Sequence, residues 1–248
     1  MKNVQVKNID FSCDLPKICV PVTGVTEKEI LHEFRCLNKE DIDLVEFRAD
    51  YFEFINDRFK VTDLLDKIRG LYHKPLLFTL RTKKEGGAAH IDNGYYFELN
   101  NIIIERKLAD LADIEFFPQS EEINYTLYLA EKNQIKTILS HHNFMKTPAV
   151  GEITAKINEM SEYGDIAKIA VMANSEEDVL TLLSASLKIK QEKKGPFIAI
   201  AMGPLGVVSR ISCELFGSCM TYASYKEKSA PGQINYKLTK EILKIMHV

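Results

Sequence analysis

Three stretches of this 248-residue chain put charge where apolar residues would otherwise run unbroken. In Val45-Glu46-Phe47-Arg48-Ala49-Asp50 the charges recur at every second residue, so an extended backbone carries all three on one side. Leu77-Phe78-Thr79-Leu80 ends on Arg81, and Ile166-Ala167-Lys168-Ile169-Ala170-Val171-Met172 encloses a single lysine. An uncompensated buried charge is costly, so such residues are normally paired or functional. A lysine held among apolar neighbours can attack a ketone once its amine is neutral, dividing a hard step into easier ones. Ser140-His141-His142-Asn143 supplies an imidazole for proton transfer. Adjacent histidines on a strand face opposite ways and cannot easily share a metal ion. Either could point into a site, and His142 lies nearer the C-terminal end. Plainer readings exist: the Glu46–Asp50 charges suit the wet face of an antiparallel strand, and Lys168 could reach outward from a strand end.

The elements around these residues decide between the readings. Apolar, β-rich runs fall at 17–22, 44–51, 76–81, 113–117, 135–142, 166–172, 197–202 and 220–224. Their starts are spaced by roughly 29 residues, the size of a βα unit. Helix punctuation lies between them. Thr26-x-x-Glu29 is a capping box, and Ser175-x-x-Asp178 opens another helix with acid in its first turn. The lysines at 188, 190, 193 and 194 sit at that helix's far end, and 236–246 reads as a last amphipathic helix. Eight such units predict one (β/α)8 TIM barrel domain over 1–248. Residues 1–16 alternate weakly and are expected to form a β-hairpin closing the bottom of the barrel. A doubly wound open sheet is the rival, although no GxGxxG follows an early strand. Strands of a parallel barrel are covered on both faces, which gives the embedded charges their interest.

Composition narrows the functional classes. The chain is 46% hydrophobic and 27% charged, with a net charge of −3, ordinary for a globular protein. That balance offers no electrostatic footprint for nucleic acid or an anionic membrane. No apolar run approaches the ~20 residues of a membrane helix, and the first residues lack a secretory h-region. Five cysteines, with no CxxC and no zinc-like spacing, suit a reducing compartment. A cytoplasmic setting is expected.

Six motifs then occur in order: Glu46-Phe47-Arg48-Ala49-Asp50; Phe78-Thr79-Leu80-Arg81 with Glu85-Gly86-Gly87; Ser140-His141-His142-Asn143-Phe144; Lys168-Ile169-Ala170-Val171-Met172; Val208-Ser209-Arg210 with Phe216-Gly217-Ser218; and Ser229-Ala230-Pro231-Gly232-Gln233-Ile234. Together they closely resemble type I 3-dehydroquinate dehydratase over essentially the whole chain. The resemblance implies a shikimate-pathway hydro-lyase of aromatic amino-acid biosynthesis, a homodimer that turns 3-dehydroquinate into 3-dehydroshikimate without metal or organic cofactor. It assigns Lys168 to the Schiff base, His142 to general acid/base work and Glu85 to orienting that histidine. Arg210, Ser229 and Gln233 correspond to substrate-binding positions, with Arg210 on the carboxylate. Glu46, Arg48 and Arg81 match the group around the ring hydroxyls and carbonyl side, and Met202 and Tyr222 fall where apolar residues line the ring. The connection holding Ser229 and Gln233 is expected to close over substrate as a lid.

Departures from the family pattern are Asn143 where aspartate is frequent, Gly203-Pro204-Leu205 after Met202, Ile200 for a frequent methionine, and the hydroxyl of Tyr222 where phenylalanine is common. The rival activity is a Schiff-base aldolase on a phosphorylated sugar, for which Gly203-x-x-Gly206 and Pro231-Gly232 would be phosphate loops.

Overall fold

Between Lys17 and Tyr222 short apolar runs alternate with helices. In the computed structural model each run becomes one strand of a single parallel sheet. The structure describes residues 2–12, 15–118, 120–225, 230 and 232–247. A two-stranded antiparallel hairpin comes first: β1 (Gln5–Val6) and β2 (Ile9–Asp10). The sheet then runs β3 (Lys17–Val22), β4 (Leu44–Arg48), β5 (Leu76–Thr79), β6 (Leu111–Glu115), β7 (Lys136–Asn143), β8 (Ile166–Met172), β9 (Phe197–Met202) and β10 (Met220–Tyr222). Its spatial order is β10-β3-β4-β5-β6-β7-β8-β9. The two ends meet where Phe197 bridges Ser218 and the Cys219 N–H donates to the Phe197 carbonyl at 2.8 Å. The sheet therefore curls into a nearly closed (β/α)8 barrel, and the open-sheet rival fails.

Helices α1 (Glu27–Leu37), α2 (Arg58–Leu71), α3 (Asn93–Glu105), α4 (Glu121–Asn133), α5 (Val150–Tyr163), α6 (Glu176–Glu192), α7 (Val207–Ile211), α8 (Cys213–Phe216) and α9 (Tyr236–Met246) intervene. The Thr26 capping box forms reciprocally with Glu29, and Ser175 caps α6 by accepting from the Asp178 N–H. Each satisfies N–H groups that a helix start leaves without partners.

Strand alternation separates two apolar regions. Outward residues such as Val45, Phe47, Phe78, Ile114, Ile169 and Val171 pack beneath the helices. The first inward residues of the strands (Leu44, Leu77, Leu111, Ile138, Ile166, Ile198 and Met220) form a second cluster with Val4, Val6, Ile9 and Phe11. The N-terminal hairpin thus closes the bottom of the barrel, as its alternation predicts. Above this apolar floor the inward positions turn polar.

Boundaries differ from the sequence reading where a strand ends in charge. β4 stops at Arg48 and the chain turns through a 3-10 segment, Ala49–Tyr51, while Arg81 lies just beyond β5. β6 begins at Leu111, two residues before the expected start, which moves Asp113 from the strand edge to its centre. Cys19, Cys36, Cys213 and Cys219 carry thiols rather than disulfides, and Cys13 lies outside the described residues.

Candidate active site

The parallel register puts Ser140 beside Lys168 and His142 beside Ala170 on β7 and β8, so Ser140, His142 and Lys168 all face the barrel interior. Lys168 is buried, and its Nζ lies 2.9 Å from Asp113 Oδ2 and 3.0 Å from Tyr222 Oη. Asp113 is the hub. Its other oxygen takes Arg81 Nη2 at 2.8 Å and the Ser140 hydroxyl at 2.6 Å, while Arg81 Nη1 donates to Ser140 Oγ at 2.8 Å. Burial works against the Asp113 carboxylate, but Arg81 and Lys168 outweigh it and hold the group well below the usual range. Glu115 adds a weaker contact to Arg81 at 3.4 Å and accepts from the Thr82 N–H and hydroxyl.

Toward the mouth, His142 rests on Glu85. Nδ1 lies 2.9 Å from Glu85 Oε2, which also accepts the His142 backbone N–H, and His141 Nδ1 lies 3.2 Å from Oε1. Burial opposes the Glu85 carboxylate, yet hydrogen bonds from both histidines keep it at about 2. Burial and the nearby Arg81 cation push His142 down to about 3 against the pull of Glu85. The imidazole is therefore neutral at neutral pH. A carboxylate at Nδ1 fixes that nitrogen as the N–H donor, leaving Nε2 as the basic atom.

Glu85 ends a 3-10 turn capped by Gly86, whose φ is 84°. A Cβ there would lie 2.1 Å from the Phe144 ring, which stacks over His142 with centroids 6.2 Å apart. Glycine is thus required both by the left-handed backbone and by the close approach.

Of the eleven residues singled out from the sequence, ten line one cavity of about 200 Å³ at the C-terminal ends of the strands: Lys168, His142, Glu85, Glu46, Arg48, Arg81, Arg210, Gln233, Met202 and Tyr222. Ser229 lies outside the described residues, as do 226–228 and 231 of the expected lid segment; Ala230 and Gln233 reach the cavity wall. Glu46 accepts from the Thr79 hydroxyl at 2.7 Å. Arg48 is held bidentately by Asp50, both contacts 2.8 Å, and Asp50 also accepts from the Ala88 N–H. Arg210 comes from α7, where burial lowers it to about 10. Tyr222 lines the cavity, and its added hydroxyl meets the lysine nitrogen.

The sequence reading missed Asp113, Ser140 and Glu115 as parts of the site. The signal was present in Leu111-Ala112-Asp113-Ile114-Glu115, two acids at a period of two within a buried strand. In Gly203-x-x-Gly206 the Gly206 N–H is spent on the Gly203 carbonyl at 3.1 Å and is not turned toward a phosphate. Gly203 itself is left-handed, φ 89°, and a Cβ on Gly232 would lie 2.4 Å from its carbonyl oxygen. The turn shapes the barrel's upper rim.

Residues 18–248 match the family model described as Type I 3-dehydroquinase. The chain belongs to the type I 3-dehydroquinase family. It is 43% identical over 249 residues to the 3-dehydroquinate dehydratase of Alkaliphilus oremlandii, covering 99% of this chain and 98% of that protein. The enzyme of the same name from Clostridium novyi is 43% identical over 251 residues, covering 100% and 99%. Among solved structures, the type I 3-dehydroquinate dehydratase of Clostridium difficile, described with covalently modified comenic acid, superposes with a TM-score of 0.95 at 40% identity, covering 99% of this chain and 97% of that one. Membership in the type I 3-dehydroquinase family accounts for the barrel and for the order of the six motifs. No helix among the described residues is long and apolar enough to cross a membrane.

Proposed function

We propose that this hydro-lyase dehydrates 3-dehydroquinate to 3-dehydroshikimate through an imine on Lys168, with His142 as base and then acid. The observation that carries the reading is one cavity lined by a buried lysine and a half-buried histidine, each held by a carboxylate, Asp113 and Glu85.

The chemistry explains the pairing. The proton to be removed sits beside a ketone and is too weakly acidic for imidazole alone. Condensation with the Lys168 amine expels water and leaves an iminium, a stronger electron sink. His142 Nε2 then takes the adjacent proton, an effect typically worth about 10²–10⁴-fold. As the electrons return, the hydroxyl on the next carbon leaves and His142 protonates it. Hydrolysis of the imine frees the product and restores the lysine. Glu85 orients the ring throughout and stabilises its transient positive charge.

Arg210 offers two parallel N–H donors to the substrate carboxylate, a geometry lysine could not reproduce. Gln233 and Ser229 would complete the polar cover over the bound molecule, while Met202 and Ile200 give the ring an apolar wall. The same reading carries a cytoplasmic homodimer working without metal or organic cofactor.

Ultraviolet absorbance of the conjugated product tests the activity. Lys168→Ala should abolish turnover, and His142→Ala should slow it by about 10²–10⁴-fold. Wild-type rates in Lys168→Ala would overturn the proposal, and cleavage of a sugar phosphate inhibited by free phosphate would support the aldolase instead.

A further inference from the structure

The Lys168 nitrogen has a second partner that the lysine–histidine scheme leaves idle. In a barrel of this kind, alternate strands contribute the four side chains of an interior layer, and bulky branched residues usually fill it. Here the alternate strands β4, β6, β8 and β10 supply Glu46, Asp113, Lys168 and Tyr222, all buried. Tyr222 Oη sits 3.0 Å from Lys168 Nζ, and its ring centroid lies 4.6 Å from the same nitrogen. Two oxygens therefore flank the amine, and they differ in kind. The Asp113 carboxylate can only accept, since Arg81, Ser140 and Lys168 already donate to it. The phenol can accept and donate.

Resting on the Schiff-base reading, we propose that Tyr222 is a catalytic residue whose phenol shuttles protons between the Lys168 nitrogen and the substrate carbonyl oxygen. When the neutral amine attacks, the N–C bond forms and the carbonyl π pair moves onto oxygen, giving a protonated nitrogen beside an alkoxide. Tyr222 Oη takes the proton from nitrogen while its own O–H proton passes to the alkoxide. The product is a neutral carbinolamine, and the phenol is unchanged. A second proton, drawn from solvent, reaches that oxygen; the C–O bond breaks, water departs and the nitrogen lone pair completes the iminium, and the reverse sequence hydrolyses the product imine. The exchange never requires a free phenolate. That matters here, because burial and then the Glu46 carboxylate hold the Tyr222 hydroxyl well above its ordinary value. His142 is anchored by Glu85 two residues further toward the mouth, where it serves the carbon-bound proton.

Tyr222→Phe keeps the ring against the amine and removes only the hydroxyl. The experiment is rapid-quench single turnover of the full-length enzyme with 3-dehydroquinate, trapping the imine with borohydride and counting adduct on Lys168 by mass. Adduct formation should slow by about tenfold, the loss of one ordinary hydrogen bond in the rate-determining arrangement, and its pH profile should change. Tyr222→Phe that forms adduct at the wild-type rate with an unchanged pH profile, altering only KM, would make the tyrosine a wall and overturn this proposal alone. Absence of any adduct in the wild-type enzyme would overturn the Schiff-base reading and this proposal together.

Discussion

Asp113→Asn removes one charge from the centre of the barrel and leaves two cations facing each other. The carboxylate meets Arg81 at 2.8 Å, Lys168 at 2.9 Å and Ser140 at 2.6 Å, with no exposed side-chain surface. Removing one partner of a buried ion pair typically costs about 3–5 kcal/mol, because the other charge stays desolvated. The amide retains one acceptor and Arg81 retains Glu115 at 3.4 Å, which favours the lower end, about 3 kcal/mol. For a chain of this size each kcal/mol moves the melting temperature by about 2–4 °C, so a fall of roughly 6–12 °C is expected. Lys168→Met should cost less, since it leaves Asp113 satisfied by Arg81 and Ser140. Urea unfolding followed by circular dichroism, with matched thermal melts, gives both values. An Asp113→Asn protein within about 1 kcal/mol of wild type, or less damaged than Lys168→Met, would refute the idea that this carboxylate neutralises the interior.

Glu85→Gln should lower turnover by about ten- to a hundredfold, the value of one charge-assisted hydrogen bond, while KM changes little; steady-state kinetics separate the two. Stability should fall with acid: the native His142 imidazole stays neutral down to about 3, whereas in the unfolded chain it takes up a proton below about 6.5. The contribution is complete above about 6.5 and at pH 5 about 2 kcal/mol of it is gone. Glu85, held at about 2 when folded, acts in the same direction, losing its contribution as pH falls from about 4.5. Equal urea midpoints at pH 7 and pH 5 would contradict the sign for His142, and midpoints that stop falling between about pH 4.5 and pH 3 would contradict the sign for Glu85. Arg210→Lys should raise KM by about tenfold or more through loss of the bidentate contact, and an analogue without the carboxylate should show no such difference.

Much of this arrangement was legible before any coordinates. The spacing of the βα units and the alternation of 1–16 were enough for the barrel and its plugged floor, and strand patterns picked out Glu46, Arg48, Arg81, His142 and Lys168; Glu85, Arg210, Gln233, Met202 and Tyr222 came from the family resemblance alone. What escaped has physical causes. Asp113 was placed at a strand edge, and an acid at an edge needs no partner; only the two-residue earlier start at Leu111 makes it central. Asp50 falls inside the expected strand 44–51 but lies in a 3-10 turn, from which it reaches back to Arg48. The shared use of Glu85 by two histidines depends on how the connection after β5 folds over β7, a contact spanning 57 residues that no local pattern encodes. The Tyr222 hydroxyl was read as a mere addition to an apolar wall, because a sequence cannot say where across the barrel a ring will end.

The account stands on covalent capture of the substrate ketone by Lys168. Incubating the enzyme with 3-dehydroquinate and borohydride, then mapping the modified peptide, should place a reduced substrate adduct on Lys168, retain it in His142→Ala and lose it in Lys168→Ala. An active enzyme whose Lys168 peptide stays unmodified under those conditions would contradict it.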